Sequence, residues 1–208
     1  MFKSGYSFRQ AVGSVDSLVK RLKELGYEYA PLADIASVFG HVHLRKACQD
    51  HGLKPVYGVS LNVTPSIHTK KPVTDLFSFY AVDDLQPLYE LIRLATSQFR
   101  YTPLLKYDQV MSVKDLIVVT GNRARLDELS PSNNLYVGLS PSCASGYAKE
   151  ARERGFQFTM MQDQRYIMPE DFNWYETACG RNARTQTYPM HVLSESEWRS
   201  ECERRGLL

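Results

Sequence analysis

The chain holds five histidines, and three of them fall in one stretch, "FGHVHLRKACQDHGLKPVYG", residues 39 to 58. His41-Val42-His43 is a His-x-His and Asp50-His51-Gly52 an Asp-His-Gly. Imidazoles and carboxylates gathered in such patterns hold divalent ions that activate water for attack on a phosphoester. Whether they can do so depends on where the side chains point. On a strand, residues two apart share a face and both imidazoles of a His-x-His could reach one ion. The periodicity of residues 41 to 51 predicts a helix closed by Gly52. There, residues two apart lie roughly 200° apart around the axis and cannot share an ion. His51 falls at the helix's C-terminal end, where the dipole favours a cation and Gly52 supplies the stop. The three histidines are therefore read as structural, and both motifs as coincidences of spelling.

The elements around that stretch alternate. Residues 14 to 25, "SVDSLVKRLKEL", put Val15, Leu18, Leu22 and Leu25 on one helical face, with Ser14 as N-cap and Gly26 as stop. "YEYAPLA", "KPVYGVSLNV", "LFSFYAV", "LIVVTG", "NLYVGLS" and "FQFTMM" read as strands. Helices are expected over 83 to 98, over 142 to 154 ahead of Gly155, from Pro169-Glu170-Asp171 onward, and over "SESEWRSECERR" with Ser194 as its cap. Strands regularly followed by helices predict a mainly parallel sheet, open or closed into a barrel, in a single domain over residues 1–208.

Composition excludes more than it specifies. With 208 residues and 43% apolar content the chain can bury one sizeable core. Net charge is +2, from 25 basic and 23 acidic residues, so no global field draws it to nucleic acid or membrane. The longest like-charge clusters are Lys70-Lys71 and Arg204-Arg205. No apolar run approaches membrane-spanning length, and "MFKSGYSFRQ" has no signal-peptide core. Cys48, Cys143, Cys179 and Cys202 show no C-x-x-C spacing and read as reduced thiols of a cytoplasmic protein.

A more specific pattern runs through the first third of the chain. Ser4, Tyr6 and Ser7 are followed in order by Glu24-Leu25-Gly26, Asp34, Phe39-Gly40, Gly52, Lys54-Pro55 and Gly58. This series resembles the N-terminal PHP (polymerase and histidinol phosphatase) domain of bacterial DNA polymerase III alpha subunits. That family's pattern runs from His-x-His-Ser-x-Tyr-Ser through "ELG" to Thr-Asp-His-Gly-x-x-Phe-Gly and Gly-x-Lys-Pro-x-x-Gly-x-Glu. "TMMQDQRYIMPEDFNWYETACGRN" is similar to its Asn-Asp-x-His-Tyr-x-x-Pro-Glu-Asp segment, and "HVLSESEW" to its link ahead of the polymerase palm, so residues 181–208 are expected to match that link. The resemblance covers nearly the whole chain and is thin between about 100 and 155. It implies a distorted (β/α)7 TIM-like barrel of the PHP type. In active members it also implies a metal-ion cluster that hydrolyses phosphoesters, in some polymerases as a 3′–5′ exonuclease.

The resemblance also implies where the ligands would stand, and most positions carry something else. The first His-x-His falls on Met1-Phe2-Lys3, the next acidic position on Gln10, the histidine of Asp-His-Gly on Ile35 behind a retained Asp34, and the later glutamate on Ser60. A histidine falls near Leu76, a cysteine on Asn122, and the closing Asp-x-His keeps Asp163 but has Arg165 for its histidine. Lys3, Gln10, Asp34, Ile35, Ser60, Asn122, Asp163 and Arg165 thus outline a vestigial pocket in which no catalytic or metal-binding residue is expected. Two carboxylates alone could at most hold a loosely bound Mg2+ with many waters. Losing metal would leave Asp34 and Asp163 uncompensated, and a Lys and an Arg entering the space would neutralise them. The expectation is that Asp34 or Asp163 pairs with Arg165 or Lys3, with Lys3 at the end of a first strand and Asp34 beside it at the end of the second. Two alternatives stay open: both cations snorkel outward, or the pair binds a phosphate.

Of the remaining features, Tyr27, Tyr29, Tyr57, Tyr80 and Tyr136 are placed on strands, covering a barrel with their hydroxyls at its rim. Gly121 and the two arginines of "TGNRARL" follow a strand where a phosphate could be met, though exposed arginine is the default. His68 and His191 read as surface residues, Cys179 as a small buried one, and Trp174, Tyr175 and Trp198 as core or interface anchors. The whole reads as a stand-alone, catalytically silent domain that needs no cofactor. It would bind a protein, with a replicative polymerase or its proofreading exonuclease as the partner the resemblance implies, and would have little or no affinity for nucleic acid and none for membrane. A compact chain of this type suits a bacteriophage and hence the host cytoplasm. The enzyme alternative is a metal-dependent phosphoesterase or exonuclease with a rebuilt site that recruits His41 or His43 and takes Mn, Zn or Mg. A third class, a nucleic-acid-binding accessory protein, would bind in a salt-dependent way.

Overall fold

In the computed structural model, which describes residues 1–67, 73–98, 102–121 and 124–208, local rules set the elements. Helix α1 (Val15–Glu24) starts where Ser14 Oγ accepts the Ser17 amide at 3.0 Å. It buries Val15, Leu18, Val19 and Leu22, and Gly26 at φ 81° turns the chain so that the Tyr27 amide donates to the Leu22 carbonyl. Next come β1 (Tyr29–Ile35), α2 (Gly40–His51), β2 (Lys54–Thr64), β3 (Asp75–Ala81), α3 (Gln86–Ser97), β4 (Leu104–Lys106) and α4 (Tyr107–Met111). The chain closes with β5 (Leu116–Thr120), β6 (Leu135–Leu139), α5 (Ser145–Glu153), β7 (Gln157–Met160), α6 (Phe172–Cys179) and α7 (Glu195–Arg204). Apart from the strand expected to end at Lys3, every helix and strand read from the sequence is present to within a few residues. Tyr27 precedes β1 instead of standing on it, and β4 and α4 were not anticipated.

The strands form one sheet in the order β1-β2-β3-β5-β6-β7, with β4 also beside β2. Neighbours are parallel as expected, except that β3 runs antiparallel to both β2 and β5. The reason is the short link over residues 65 to 74, since a parallel return needs a crossover of roughly a dozen residues or more. Strand β1 pairs with β2 as far as Ile35 and Ser60, and β4 takes over that edge from Asn62. The chain must therefore leave the sheet directly after Ile35. It does so at Ala36, which adopts φ 51° and donates its amide to the Ser60 carbonyl at 2.8 Å. A residue with a Cβ enters this left-handed region only at a cost.

The sheet curls into a half-barrel. Ala33 of β1, Tyr80 of β3, Val119 of β5 and Met161 just past β7 pack in one cluster, so the two ends of the sheet approach each other on its concave side. No ladder joins β7 to β1 among the described residues. The first segment, expected as a strand ending at Lys3, is irregular and spans the gap with single bonds. The Phe2 carbonyl accepts the Ala33 amide at 2.9 Å, and the Lys3 amide donates to the Gln164 side chain at 2.7 Å. Because a side chain takes that amide, no ladder can continue there.

Two larger clusters flank the strands. One joins Val59, Leu61, Phe77, Phe79, Val118 and Val137 of the sheet to Leu88 and Leu91 of α3, and the other packs α1 and α2 on Ala30 and Leu32 of β1. Residues 181–208 pack on the same body. Trp198 Nε1 donates to the carbonyls of Leu139 and Met161 at 3.2 and 3.0 Å, and the Gln162 side chain exchanges bonds of 2.8 Å with the backbone of Leu193. Cys179 is buried as read, while Trp174 is exposed. Among the described residues no helix is long and apolar enough to cross a membrane.

Candidate functional site

A cleft of about 790 Å3 opens beside the C-terminal end of β1, and Gln10, Ile35, Ala36, Asp75, Arg165 and Arg184 are among its lining residues. Arg165 and Arg184 of this lining are both bonded to Asp163, just past β7, which gathers side chains from three segments. Asp163 Oδ1 accepts Lys3 Nζ and Arg165 Nη2, both at 3.0 Å. Oδ2 accepts Arg184 Nη1 at 3.1 Å and the Tyr188 hydroxyl at 2.9 Å. Lys3 is 0% exposed and Arg165 2%, so neither snorkels outward. Arg165 also donates Nη1 to the backbone carbonyl and side-chain oxygen of Gln10, at 3.1 and 3.2 Å. The expected charge swap is present at Asp163, with both cations on the same carboxylate.

Three cations around one carboxylate leave a local surplus of positive charge. Burial pulls the Lys3 ammonium down to about 8, Asp163 opposes this, and Arg165 and Arg184 reinforce it. Burial alone would push Asp163 up, but the charges of Lys3, Arg165 and Arg184 override it and hold the carboxyl well below the usual range. The Tyr188 hydroxyl is pushed up, first by burial and then by the neighbouring carboxylate.

Of the two carboxylates expected to offer a partner for Lys3 or Arg165, Asp34 is held by serines instead. It is 1% exposed and accepts the Ser4 amide at 2.7 Å, the Ser4 hydroxyl at 2.8 Å and the Ser7 hydroxyl at 2.6 Å. A carboxylate with three donors at such distances is satisfied without a partner charge. Gly40 makes room for it: a Cβ there would stand 3.0 Å from Asp34 Oδ2 and 2.7 Å from Leu32 Cδ2.

The other candidates divide. Gln10 and Ile35 share the cleft with Arg165. Ser60 lies inside the curl, donating to the Ala33 carbonyl and meeting Ser78 Oγ, both at 2.8 Å. Asn122 and Arg123 of the "TGNRARL" loop, Lys70-Lys71 and His68 lie outside the described residues. Arg184 and Tyr188 were missed, since nothing in the spacing of a segment read as a link marks them as partners of Asp163.

The decoy histidines separate as helical geometry requires. His41 is buried, not exposed: Nε2 donates to the Gly58 carbonyl at 2.9 Å, the ring packs on Tyr57, and burial pushes its pKa down. His43 is exposed and stacks on Tyr6, and His51 meets Asp16 at 3.1 Å. His191, read as a surface residue, is half-buried against Tyr166. No two of them converge on one point, and no group of three or more His, Cys, Asp or Glu side chains is placed to hold a metal among the described residues. The described residues do not fit a metal cluster. The donors on Asp34 and the cations on Asp163 already occupy the oxygens that would face an ion, and those cations would repel it.

A family model for the PHP domain matches residues 2–129. The DNA polymerase III subunit alpha of Bacillus subtilis (strain 168) is 29% identical over 111 residues, 53% of this chain and 8% of that protein. The one from Treponema pallidum (strain Nichols) is 30% identical over 125 residues, 60% of this chain and 10% of that protein. The one from Streptococcus pyogenes serotype M1 is 21% identical over 169 residues, 81% of this chain and 15% of that protein. The chain thus spans a small fraction of each relative's length. A solved structure from Bifidobacterium adolescentis ATCC 15703, described as that of a metal-dependent phosphoesterase, aligns over 97% of this chain and 94% of its own with TM-score 0.47 and 10% identity. That likeness is too slight to argue from.

Proposed function

This chain belongs to the PHP domain family, and we propose that it is a catalytically silent member, a distorted and opened (β/α)7 barrel acting in DNA replication as a protein-binding module. The observation that carries the loss of hydrolysis is the set of partners on Asp163. Lys3 and Arg165 stand at two of the positions where the family pattern has metal-binding imidazoles, and both bind the carboxylate a metal would need. Phosphoester hydrolysis of that type requires ions to activate water and to offset developing charge. Fixed cations can offset charge but cannot lower the pKa of a bound water as an open metal site does.

The binding role is supported by what is left on the surface. Phe8, Phe39, Val42 and Trp174 are large apolar side chains exposed to water. The relatives are DNA polymerase III alpha subunits, so the partner proposed is a replicative polymerase or its proofreading exonuclease, in the cytoplasm. Two measurements test the proposal. Elemental analysis of protein refilled with Mn2+ should find fewer than two ions per chain, and single-stranded DNA should stay intact. Two or more ions, with turnover abolished by Asp163→Ala, would overturn the silent reading. Gel filtration with purified polymerase alpha subunit or exonuclease should give a joint peak, and separate elution from both would remove the binding role.

A further inference from the structure

At the end of the half-barrel away from the cleft, the concave side of the sheet is apolar and open. Ala33, Gly58, Tyr80 and Ile117 pair in one rung across β1, β2, β3 and β5, and Val119 pairs with Tyr136 of β6. Paired residues share a face, so Ile117 and Tyr136 stand on the concave side with Ala33, Tyr80 and Val119. Side chains alternate along a strand, which brings Tyr29, Val56 and Val82 to the same side nearer the rim. Tyr80 fills the middle over Gly58, where a Cβ would stand 2.5 Å from its ring. Tyr29, Val82 and Ile117 are 49%, 60% and 38% exposed. In a closed barrel such inward side chains fill the interior, whereas the open curl leaves these in water.

Charge around this face is unbalanced. Glu28, Asp83, Asp84 and Asp115 border it, all exposed, and none has an ion-pair partner among the described residues. Of the two lysines there, Lys54 lies over the Tyr29 ring, 5.3 Å from its centroid, and Lys114 precedes Asp115. Because Ala81 pairs with Leu116, Asp83 and Asp84 fall close to Asp115. Three carboxylates thus flank Val82 and Ile117 in a chain of net charge +2.

We propose that this face docks a basic segment of a protein partner. Large apolar side chains of the segment cover Val82, Ile117 and Tyr136, and its Lys or Arg side chains meet Asp83, Asp84 and Asp115. Apolar anchors supply the affinity, and the charged rim selects the sign of the partner. The same carboxylates repel a phosphate backbone, which favours protein over nucleic acid. The face lies at the opposite ends of the strands from the cleft, where Phe8 and Phe39 stand. The inference therefore rests neither on catalytic silence nor on the partner proposed above.

Selection from a display library of random peptides on the immobilised full chain tests it, with the enriched peptides synthesised and titrated by fluorescence anisotropy. They are expected to combine Lys or Arg with large apolar residues and to bind more weakly as salt is raised. Val82→Ser together with Ile117→Ser should weaken them by about tenfold or more through lost burial. Asp83→Lys together with Asp115→Lys should weaken them severalfold at low salt, and Phe39→Ser, at the cleft, should bind them as the parent does. Far-UV melting curves show which variants are folded. No enriched peptide, enriched peptides without basic residues, or unchanged affinity in either folded double variant overturns the inference. So does a concentration-dependent dimer that is lost in the Val82→Ser, Ile117→Ser variant, because the face would then belong to a second copy. All of these outcomes leave co-elution with polymerase alpha subunit or exonuclease as a separate measurement of the binding role proposed above.

Discussion

Replacing Asp163 by Asn keeps the shape of the side chain and removes its charge, so the cost can be worked partner by partner. Lys3 has an escape. With its ammonium already pulled down to about 8, it can shed its proton at pH 7 for on the order of 1 kcal/mol. Arg165 has none, because a guanidinium keeps its proton in proteins. Turning the 3.0 Å charged bond at this 2% exposed residue into a bond to a neutral amide costs about 1.5–3 kcal/mol. Arg184 is half-exposed and rehydrates at little cost. The whole comes to about 3–4 kcal/mol, the range found when one partner of a buried pair is removed. Second substitutions separate the two buried cations. Arg165→Met in the Asp163→Asn background should recover more stability than Lys3→Met, because only the arginine is trapped with its charge. Urea unfolding at pH 7, followed by far-UV circular dichroism, reads the parent, the three single variants and the two double variants. Equal recovery by the two methionines, or strict additivity of the single costs, would refute the reasoning.

The same residue sets a pH signature. In the unfolded chain Lys3 keeps its proton up to about 10.5, whereas the native fold releases it near 8. Between those values the unfolded state binds more protons, so this group makes stability rise with pH across that window. Below 8 both states hold the proton and the contribution is flat. Above 8 the native Lys3 no longer pairs as a cation with Asp163, so the penalty of Asp163→Asn should be smaller at pH 9 than at pH 7, by about 1 kcal/mol.

Ala36→Gly should stabilise the protein by up to about 1 kcal/mol in thermal unfolding, since φ 51° strains a Cβ while the added freedom of the unfolded chain offsets part of the gain. His41→Ala should cost about 1–3 kcal/mol, because it removes the bond to Gly58 and the packing on Tyr57, whereas exposed His43→Ala should stay within about 0.5 kcal/mol. Similar costs for the two histidines in the same melts would contradict the placement of α2. Gly40→Ala should lower the melting temperature through a loss of about 1–3 kcal/mol, because its Cβ would stand 2.7 Å from Leu32 Cδ2 in a packed core.

Where local chemistry decides an element, the sequence spells it out. Ser14 and Ser194 cap α1 and α7 through their own hydroxyls, and Gly26 and Gly52 take the positive φ that ends a helix. Strand β4 and helix α4 span three and five residues, too few for a period to show. The direction of β3 was readable in principle from the length of the link before it. The curl was not, because it depends on Ala33, Tyr80, Val119 and Met161 meeting across the sheet from distant parts of the chain.

The site was legible in its losses more than in its repairs. Lys3 and Arg165 could be picked out because each stands where the family pattern has an imidazole, and both reach the carboxylate expected. Arg184 and Tyr188 are 21 and 25 residues beyond Asp163 and belong to no motif, so only the fold brings them to it. Asp34 shows why one carboxylate needed cations and the other did not. Ser4 and Ser7, kept from the family pattern, hold its oxygens with three short bonds, so Asp34 stays satisfied whether or not an ion is near. Asp163 has no hydroxyl cradle of that kind, only Tyr188, and its charge is met by ions of the protein's own. Restoring a histidine at position 165 alone would therefore not rebuild a metal centre. Lys3 would still hold Oδ1 and Arg184 Oδ2, and an incoming divalent ion would have to displace both.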